Sequence, residues 1–167
     1  MTRLSSLVSS TLAALLIACS PQVADSSPAG SSEPAPAQIH PISGLAVIPV
    51  TITSADGTTH VIQAEFALED ADKGRGLMFR TEMGADEGML FDYESRPGQL
   101  SFWMRNTVLP LDLIFIDTER RVLNIAADAV PYSEDRILAE GVAGAVLELN
   151  AGRAAQLGIA PGDKVAW

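Results

Sequence analysis

The chain is poor in the residues that most often carry redox or metal chemistry. Among its 167 residues are one cysteine and two histidines, His40 and His60. One cysteine cannot form an intramolecular disulfide, a C-x-x-C redox pair or a multi-cysteine zinc site. Two histidines exclude a histidine-rich metal centre. We therefore expect a protein without a cofactor and without a bound metal.

Basic residues are also scarce. The chain has 11 Lys and Arg residues against 21 Asp and Glu residues, which gives a formal net charge of −10 at pH 7. Binding to the phosphates of a nucleic acid requires a surface rich in Lys and Arg, so this composition argues against a nucleic-acid partner. The other proportions, 47% hydrophobic and 19% charged, are those of a globular protein, and the length favours one domain.

The common catalytic motifs are absent from the sequence. It contains no glycine-rich phosphate loop, no G-x-S-x-G nucleophile elbow, no H-E-x-x-H motif and no EF-hand loop. A Ser-His-Asp triad would have to use His60, which lies next to a predicted hairpin turn and is expected to be an exposed strand residue. The sequence therefore favours a non-catalytic protein over an enzyme.

The first residues resemble a bacterial export signal. A short basic start precedes an apolar run over residues 12–18 that is too short to span a bilayer, and the sequence LIAC at residues 16–19 resembles the lipobox of lipoproteins. These features predict a lipoprotein signal peptide over residues 1–18 and a membrane anchor on lipidated Cys19. Ser20 favours an outer-membrane lipoprotein that faces the periplasm. The alternative is ordinary cleavage, which would leave a soluble periplasmic protein.

Residues 19–44 are predicted to form a disordered tether. They hold half of the chain's ten prolines and many Ser and Ala residues, and such a segment buries too little apolar surface to offset its ordering entropy. His40 lies in this segment and is expected to be solvated and without a role. The folded domain is predicted to span residues 45–167.

Strand signals dominate the predicted domain. Apolar or alternating segments between turn residues predict strands at 46–54, 59–68, 88–93, 100–107, 111–117, 122–130, 142–149 and 164–167. A short helix is predicted to begin at Asp70, and another to span residues 151–157 between an Asn150 N-cap and Gly158. The predicted fold class is mostly β: a compact β-sandwich, jelly-roll-like or barrel-like domain with one or two short helices.

Asp112 is the clearest candidate for a functional side chain, because it lies in the apolar stretch of residues 109–114. A buried carboxylate needs a partner, since an unpaired buried charge is strongly destabilising. Asp112 either fixes the entry of a strand by binding loop amides or an arginine, or forms the polar floor of a ligand site with Arg80 and Asn106. General-base catalysis by Asp112 is a third possibility.

Alternation along residues 100–107 separates two faces. Phe102 and Met104 lie on one face, and Trp103 and Arg105 lie on the other. This pattern predicts either a stacked Trp–Arg pair at the surface or a recognition patch.

Several segments together resemble one known family. They are GLMFR at residues 76–80, GMLF at 88–91, FWMRNT at 102–107, PLDLIFID at 110–117, VLELNAG at 146–152 and GIAPGD at 158–163. The set covers the predicted domain and resembles the domain-of-unknown-function 192 family. The resemblance implies a small, mostly β domain that bacteria often export, and it implies no established activity. The recurrent polar and aromatic positions of the family correspond here to Arg80, Trp103, Met104, Asn106, Thr107, Asp112 and Glu148.

These observations favour a non-catalytic envelope lipoprotein whose β domain binds a small ligand or a protein partner through a polar cluster around Asp112. The candidate ligand-binding residues are Arg80, Trp103, Asn106, Thr107, Asp112 and Glu148. One alternative is a cell-wall hydrolase that uses carboxylates alone, which requires Asp112 and Glu148 to face one cleft about 5–10 Å apart. Another is a structural or assembly factor of the envelope, which predicts an exposed apolar patch near Trp103.

Overall fold

The structure is a computed structural model that describes residues 38–167. The predicted signal peptide, the predicted lipidation site Cys19 and the predicted tether up to residue 37 lie outside the described residues. Within residues 38–167, no helix has both the length and the apolar character needed to cross a membrane.

The described part of the chain is mostly β-structure, as the sequence predicted. Its strands are β1 (Gln38–Ile39), β2 (Ala46–Thr53), β3 (Thr59–Ala67), β4 (Glu87–Asp92), β5 (Ser101–Phe102), β6 (Leu111–Asp117), β7 (Val122–Ala129), β8 (Ile137–Leu138), β9 (Ala143–Asn150) and β10 (Lys164–Ala166). Its two short helices are α1 (Asp70–Arg75) and α2 (Arg153–Leu157). This architecture confirms the mostly β, sandwich-like prediction, and the large sheet does not close into a barrel.

Two local predictions were wrong. The strand predicted over residues 100–107 shortens to β5, which ends at Phe102. The chain then turns at residues 105–106, where Asn106 has a left-handed backbone conformation with a φ of 57°. Asn150 does not cap α2, because its side-chain amide donates instead to the carbonyls of Met83 and Gly84, each at 3.0 Å.

The sheet begins before residue 45. β1 pairs with β2 in an antiparallel ladder that matches Gln38 with Val47 and Ile39 with Ala46. Part of the segment predicted as a tether therefore belongs to the large sheet.

The large sheet has the strand order β1-β2-β3-β4-β9-β6-β7, and β10 also pairs with β2. Its strand pairs are antiparallel except for β3 and β4, which run parallel. A parallel pair needs a crossover connection, and α1 lies in that connection. β5 and β8 form a separate two-stranded ladder.

The central strands β6 and β9 are buried on both faces. Each has its last residue partly exposed and all the others buried, which accounts for their nearly continuous apolar sequences. On one face, Ile114 and Leu147 pack with Ala154 of α2. On the other face, Phe115 and Val146 pack with Phe102 of β5. We refer to these as the α2 face and the β5 face.

Candidate functional site

Asp112 lies on the α2 face, where backbone amides occupy its carboxylate. The residue is 1% exposed and accepts hydrogen bonds from the N–H groups of Asp128 at 3.0 Å, Gly152 at 3.0 Å and Ala154 at 2.9 Å. The last two donors lie at the start of α2, whose N-cap residue Gly152 supplies no side chain. Asp112 therefore caps α2 from a neighbouring strand. This is the amide-binding role that the sequence left open for it.

The cluster predicted around Asp112 is not assembled. Glu148 pairs across the β9–β6 ladder with Leu113, the residue after Asp112, so the side chains of Glu148 and Asp112 point to opposite faces of the sheet. Arg80 and Asn106 contact side chains on the β5 face. Glycoside hydrolysis by two carboxylates needs both groups at one bond, so Asp112 and Glu148 cannot act as that pair.

Glu148 lies among apolar side chains on the β5 face. Its neighbours across the sheet are Met89 of β4 and Leu113 of β6, and both are buried. Glu148 itself is 5% exposed, and its carboxyl has no hydrogen-bond partner within residues 38–167. Burial raises the pKa of Glu148 to about 8, so the carboxyl is largely protonated at neutral pH.

The carboxyl of Glu148 lines a cavity of about 150 Å³. The walls come from the sheet, from α1 with the segment after it, and from β5 with the turn after it. These walls are formed by Phe91 and Tyr93, by residues 73–78, and by Ser101, Phe102, Trp103, Arg105 and Thr107. Three of the predicted site residues, Trp103, Thr107 and Glu148, therefore meet at one cavity.

Aromatic rings form the wall of the cavity beside Glu148. Phe102 makes edge-to-face contacts with Phe91, Tyr93 and Phe115 at centroid distances of 5.1, 6.3 and 6.1 Å. Contacts of this kind contribute roughly 0.5–1.5 kcal/mol each beyond their buried area. They hold β5 over the sheet and keep a flat apolar surface next to the carboxyl.

Basic side chains border the same cavity. The Lys73 ammonium lies 4.8 Å from the Tyr93 ring centroid, and the guanidinium carbons of Arg105 and Arg136 each lie 5.6 Å from the Trp103 ring. The pairing of Trp103 with Arg105 that alternation predicted is thus present, and Trp103 is 40% exposed. We call Lys73, Arg75, Arg105 and Arg136 the basic rim.

Arg80 holds one wall of the cavity from a neighbouring site. Its Nη2 donates to both carboxylate oxygens of Glu65 at 2.7 and 2.8 Å, and both residues are buried. The ring nitrogens of His40 lie 3.2 and 3.4 Å from the Arg80 guanidinium, and His40 Nδ1 lies 3.5 Å from Glu65. His40 is therefore packed against this ion pair, which differs from the solvated position expected for it. Arg80 ends the segment of residues 76–80, which supplies part of the wall.

Asn106 and Thr107 shape a turn next to the cavity. The Asn106 Nδ2 lies 3.8 Å from the sulfur of Met78, and the Asn106 carbonyl accepts a hydrogen bond from the N–H of Phe79. The Thr107 carbonyl accepts one from the N–H of Tyr132. Phe79 and Tyr132 are 68% and 61% exposed, so the turn carries two projecting aromatic rings.

Two further cavities, of about 280 and 380 Å³, flank His40. The first is lined by the buried carboxylate of Glu65, which is already bound to Arg80. Among residues 38–167, no three His, Cys, Asp or Glu side chains lie close enough to hold a metal ion. The Glu148 cavity is therefore the better candidate for a functional site, although it is smaller.

Glu65 and most of the aromatic wall were not predicted from the sequence. Glu148 carried a usable signal, because it is a carboxylate inside the apolar stretch of residues 146–149, just as Asp112 is inside its own stretch. Glu65 had a weaker signal. It alternates with Ile62 and Ala64, so its side chain lies on the opposite face of β3, where Arg80 covers it.

The comparisons with known proteins agree with the family that the sequence resembled. Residues 51–167 match the family model DUF192, Uncharacterized ACR. A solved structure of a protein of unknown function from Novosphingobium aromaticivorans is 54% identical, with a TM-score of 0.76, and the match covers 81% of this chain and 95% of that one. A protein from Sinorhizobium meliloti, whose proposed role is transcription regulation, is 39% identical with a TM-score of 0.71 and coverages of 73% and 94%. No curated protein matches the chain. The chain therefore belongs to the DUF192 family.

Proposed function

We propose that this chain is a non-catalytic binding protein of the bacterial cell envelope and that its β domain binds a small molecule in the Glu148 cavity. The observation that carries the proposal is a buried carboxyl that faces a cavity and has no partner within the described residues. Perturbed carboxyl groups of this kind concentrate at functional sites, because a ligand can supply the missing hydrogen bond.

The proposed site replaces the cluster that the sequence suggested around Asp112. Three backbone N–H groups already bind the Asp112 carboxylate, and the residue is 1% exposed, so it is out of reach of a ligand. The Glu148 carboxyl has no hydrogen-bond partner among residues 38–167 and lines a cavity. The proposal therefore keeps ligand binding as the function and moves it to the opposite face of the sheet.

The envelope location rests on the start of the sequence. Residues 1–18 have the pattern of a lipoprotein signal peptide, and Cys19 stands at the position of the lipidated cysteine, which supports an outer-membrane lipoprotein facing the periplasm. A soluble periplasmic protein is the alternative. The transcription role proposed for the Sinorhizobium protein does not carry over to this chain, because a net charge of −10 disfavours binding to nucleic acid.

A protein partner is the second candidate function, and one observation favours it. Phe79, Tyr132 and Trp103 are exposed aromatic residues near the turn at residues 106–107. Exposed aromatic side chains of this kind are common at protein interfaces. Binding of a small molecule remains the stronger proposal, because the unpartnered Glu148 lies inside the cavity and not on this surface.

The first prediction tests the Glu148 cavity as a binding site. A collection of small organic fragments of mixed charge is added to the full chain, to its Glu148→Leu variant and to its Asp112→Asn variant, and the melting temperature is recorded. Leu fills a similar volume but removes the carboxyl. We expect fragments that raise the melting temperature of the wild type to lose this effect in Glu148→Leu and to keep it in Asp112→Asn. Asp112→Asn is the control, because it lowers the stability of the domain without changing the cavity.

Two outcomes would contradict the proposal. Equal responses of Glu148→Leu and the wild type would place binding elsewhere, and the absence of any stabilising fragment would argue against a binding site. Recovery of the bound fragments chemically unchanged is expected of a non-catalytic protein.

A further inference from the structure

We propose that the Glu148 cavity takes a small organic carboxylate with a flat apolar body of about one ring, and that one oxygen of this ligand accepts a hydrogen bond from the Glu148 carboxyl. The inference rests on the proposed binding function and adds the chemical class of the ligand. Three properties of the cavity support it: its size, its charge and the hydrogen-bonding state of Glu148.

The size of the cavity limits the apolar body of the ligand. Its volume of about 150 Å³ is close to that of an engineered apolar cavity, also about 150 Å³, which binds benzene. The edge-to-face cluster of Phe91, Tyr93 and Phe102 offers the ring faces and edges against which another flat ring can pack. One ring therefore fills the space that the walls enclose.

The charge around the cavity favours an anion. Lys73, Arg75 and Arg105 line it, and Arg136 donates a hydrogen bond to the lining hydroxyl of Ser101 at 3.1 Å. The basic rim thus gathers four of the 11 Lys and Arg residues of a chain whose net charge is −10. Acidic groups offset part of this charge: Glu134 lies 3.9 Å from Arg105 at the surface, and Asp70 lies close enough to act on the lining residue Tyr93. A cationic ligand would meet repulsion here.

The carboxyl of Glu148 selects the ligand at the inner end of the cavity. Because burial raises its pKa to about 8, Glu148 offers an O–H donor at neutral pH and needs an acceptor. A carboxylate is a strong acceptor and forms a charge-assisted hydrogen bond with such a donor. The basic rim then balances the negative charge of the bound carboxylate.

The proposal predicts a dependence of binding on pH. The charged or titratable groups that line the cavity with Glu148 are Lys73 and Arg75 from the α1 side, Tyr93 directly after β4 and Arg105 after β5. Asp70 lies close enough to act on Tyr93, and β6 presents the apolar Leu113 to Glu148. The pKa of Tyr93 is raised above its ordinary 10.0 by burial, then by the charges of Glu148 and Asp70, with Arg96 opposing. Tyr93 therefore stays neutral where Glu148 titrates. Ionised Glu148 would lose its donor and repel an anion.

The experiment compares three probes that share one ring and differ in their polar group. Benzoate, benzamide and benzylamine are titrated into the full chain by isothermal calorimetry at pH 7 and pH 9. We expect benzoate to bind most tightly of the three at pH 7. Its affinity should fall about tenfold at pH 9, the factor expected when only the protonated form of a group with a pKa near 8 binds.

Two variants test the source of this loss of affinity, which we call the pH step. In Glu148→Gln, whose amide still donates a hydrogen bond, benzoate binding should persist without the pH step. In Lys73→Met, binding should weaken and the pH step should remain.

The outcomes separate this inference from the proposed function. Tighter binding of benzylamine or benzamide than of benzoate, lost in Glu148→Leu, would overturn the carboxylate class and keep the binding site. A pH step for benzoate that persists in Glu148→Gln would overturn the role of Glu148 as the donor. Failure of all three probes, together with no Glu148-dependent response in the fragment collection, would overturn both proposals.

Discussion

Glu148 and Asp112 are both acidic residues inside apolar strands, and they differ in their hydrogen-bond partners. Asp112 accepts three backbone hydrogen bonds and completes the start of α2. Glu148 has no such partner within the described residues and lines a cavity. At the scale of single residues, a buried carboxylate bound by backbone amides stabilises the fold, whereas a carboxyl without a partner among residues 38–167 is available to a ligand.

The titration of Glu148 predicts a pH dependence of stability. Its pKa is about 8 in the folded chain and near 4.5 when unfolded, so between these values the folded state holds a proton that the unfolded state has released. Stability from this group is therefore fully present below about pH 4.5 and is lost as the pH rises to 8, by about 4–5 kcal/mol in total. Urea unfolding of the wild type and of Glu148→Gln should show a difference that is small at pH 5 and favours the variant increasingly towards pH 8.

A difference between the two proteins that stays constant from pH 5 to pH 8 would show that Glu148 is ionised or solvated in the folded state. The comparison with Glu148→Gln removes the contribution of other titrating groups, since both proteins share them.

The sequence could identify both carboxyl groups as unusual, but it could not distinguish their roles. Asp112 and Glu148 carry the same signal, a charge among aliphatic residues. Their difference arises from the register of β6 against β9, which turns one side chain to each face of the sheet. A shift of one residue would exchange the two faces, and no feature of either strand alone specifies the register.

The segment of residues 76–80 shows how an element is held in place. It follows α1 directly and lines the cavity, and its last residue, Arg80, is bound to Glu65 on β3. The segment has no regular ladder of its own. It is attached to the domain by this buried ion pair, by the buried side chain of Leu77 and by the hydrogen bond from the Phe79 N–H to the Asn106 carbonyl. Loss of the pair should therefore affect both the stability of the domain and the shape of the cavity wall.

Arg80→Met should destabilise the domain by about 3–5 kcal/mol, because it leaves Glu65 buried beside His40 without its main partner. The double variant Arg80→Met with Glu65→Gln should recover more than half of that loss, since no uncompensated charge remains. Unfolding by urea measures both. Strictly additive effects of the two substitutions would contradict a coupled pair.

Most strands were predictable because their alternation and turn residues are local signals. β2, β3, β6 and β7 begin where the sequence placed them. The contacts that build the site were not local. Glu65 and Arg80 meet across the crossover between β3 and β4, and that parallel pairing has no signature in either strand. The aromatic wall is also built by contacts between distant segments, because Phe102 of β5 packs on Phe91 of β4 and on Phe115 of β6.

On the scale of the whole molecule, the described domain includes more of the chain than the sequence predicted. β1 adds two residue pairs to β2, and His40 follows it directly into contact with Arg80. Prolines and small residues before position 45 concealed this, because a two-residue strand has no detectable periodicity. The family match over residues 51–167 also begins after these residues.

A comparison of two shortened chains tests this boundary. The chain 38–167 should be more stable to urea than the chain 45–167 by about 1–2 kcal/mol, because the shorter chain lacks the β1 hydrogen bonds and the His40 contact. His40→Ala in the longer chain serves as the control that separates the two contributions. Equal stability of the two chains would place the start of the domain at residue 45.

The position of β1 also has a mechanical consequence. If Cys19 anchors the chain in a membrane, tension on the anchor enters the domain at β1, whose ladder has two residue pairs, whereas the β2–β3 ladder behind it has seven. The shorter ladder yields first under load, and its release pulls His40 away from Arg80 and Glu65. Force on the anchor would therefore first remove a neighbour of the ion pair that holds the wall of the Glu148 cavity, while the seven pairs of the β2–β3 ladder stayed in place.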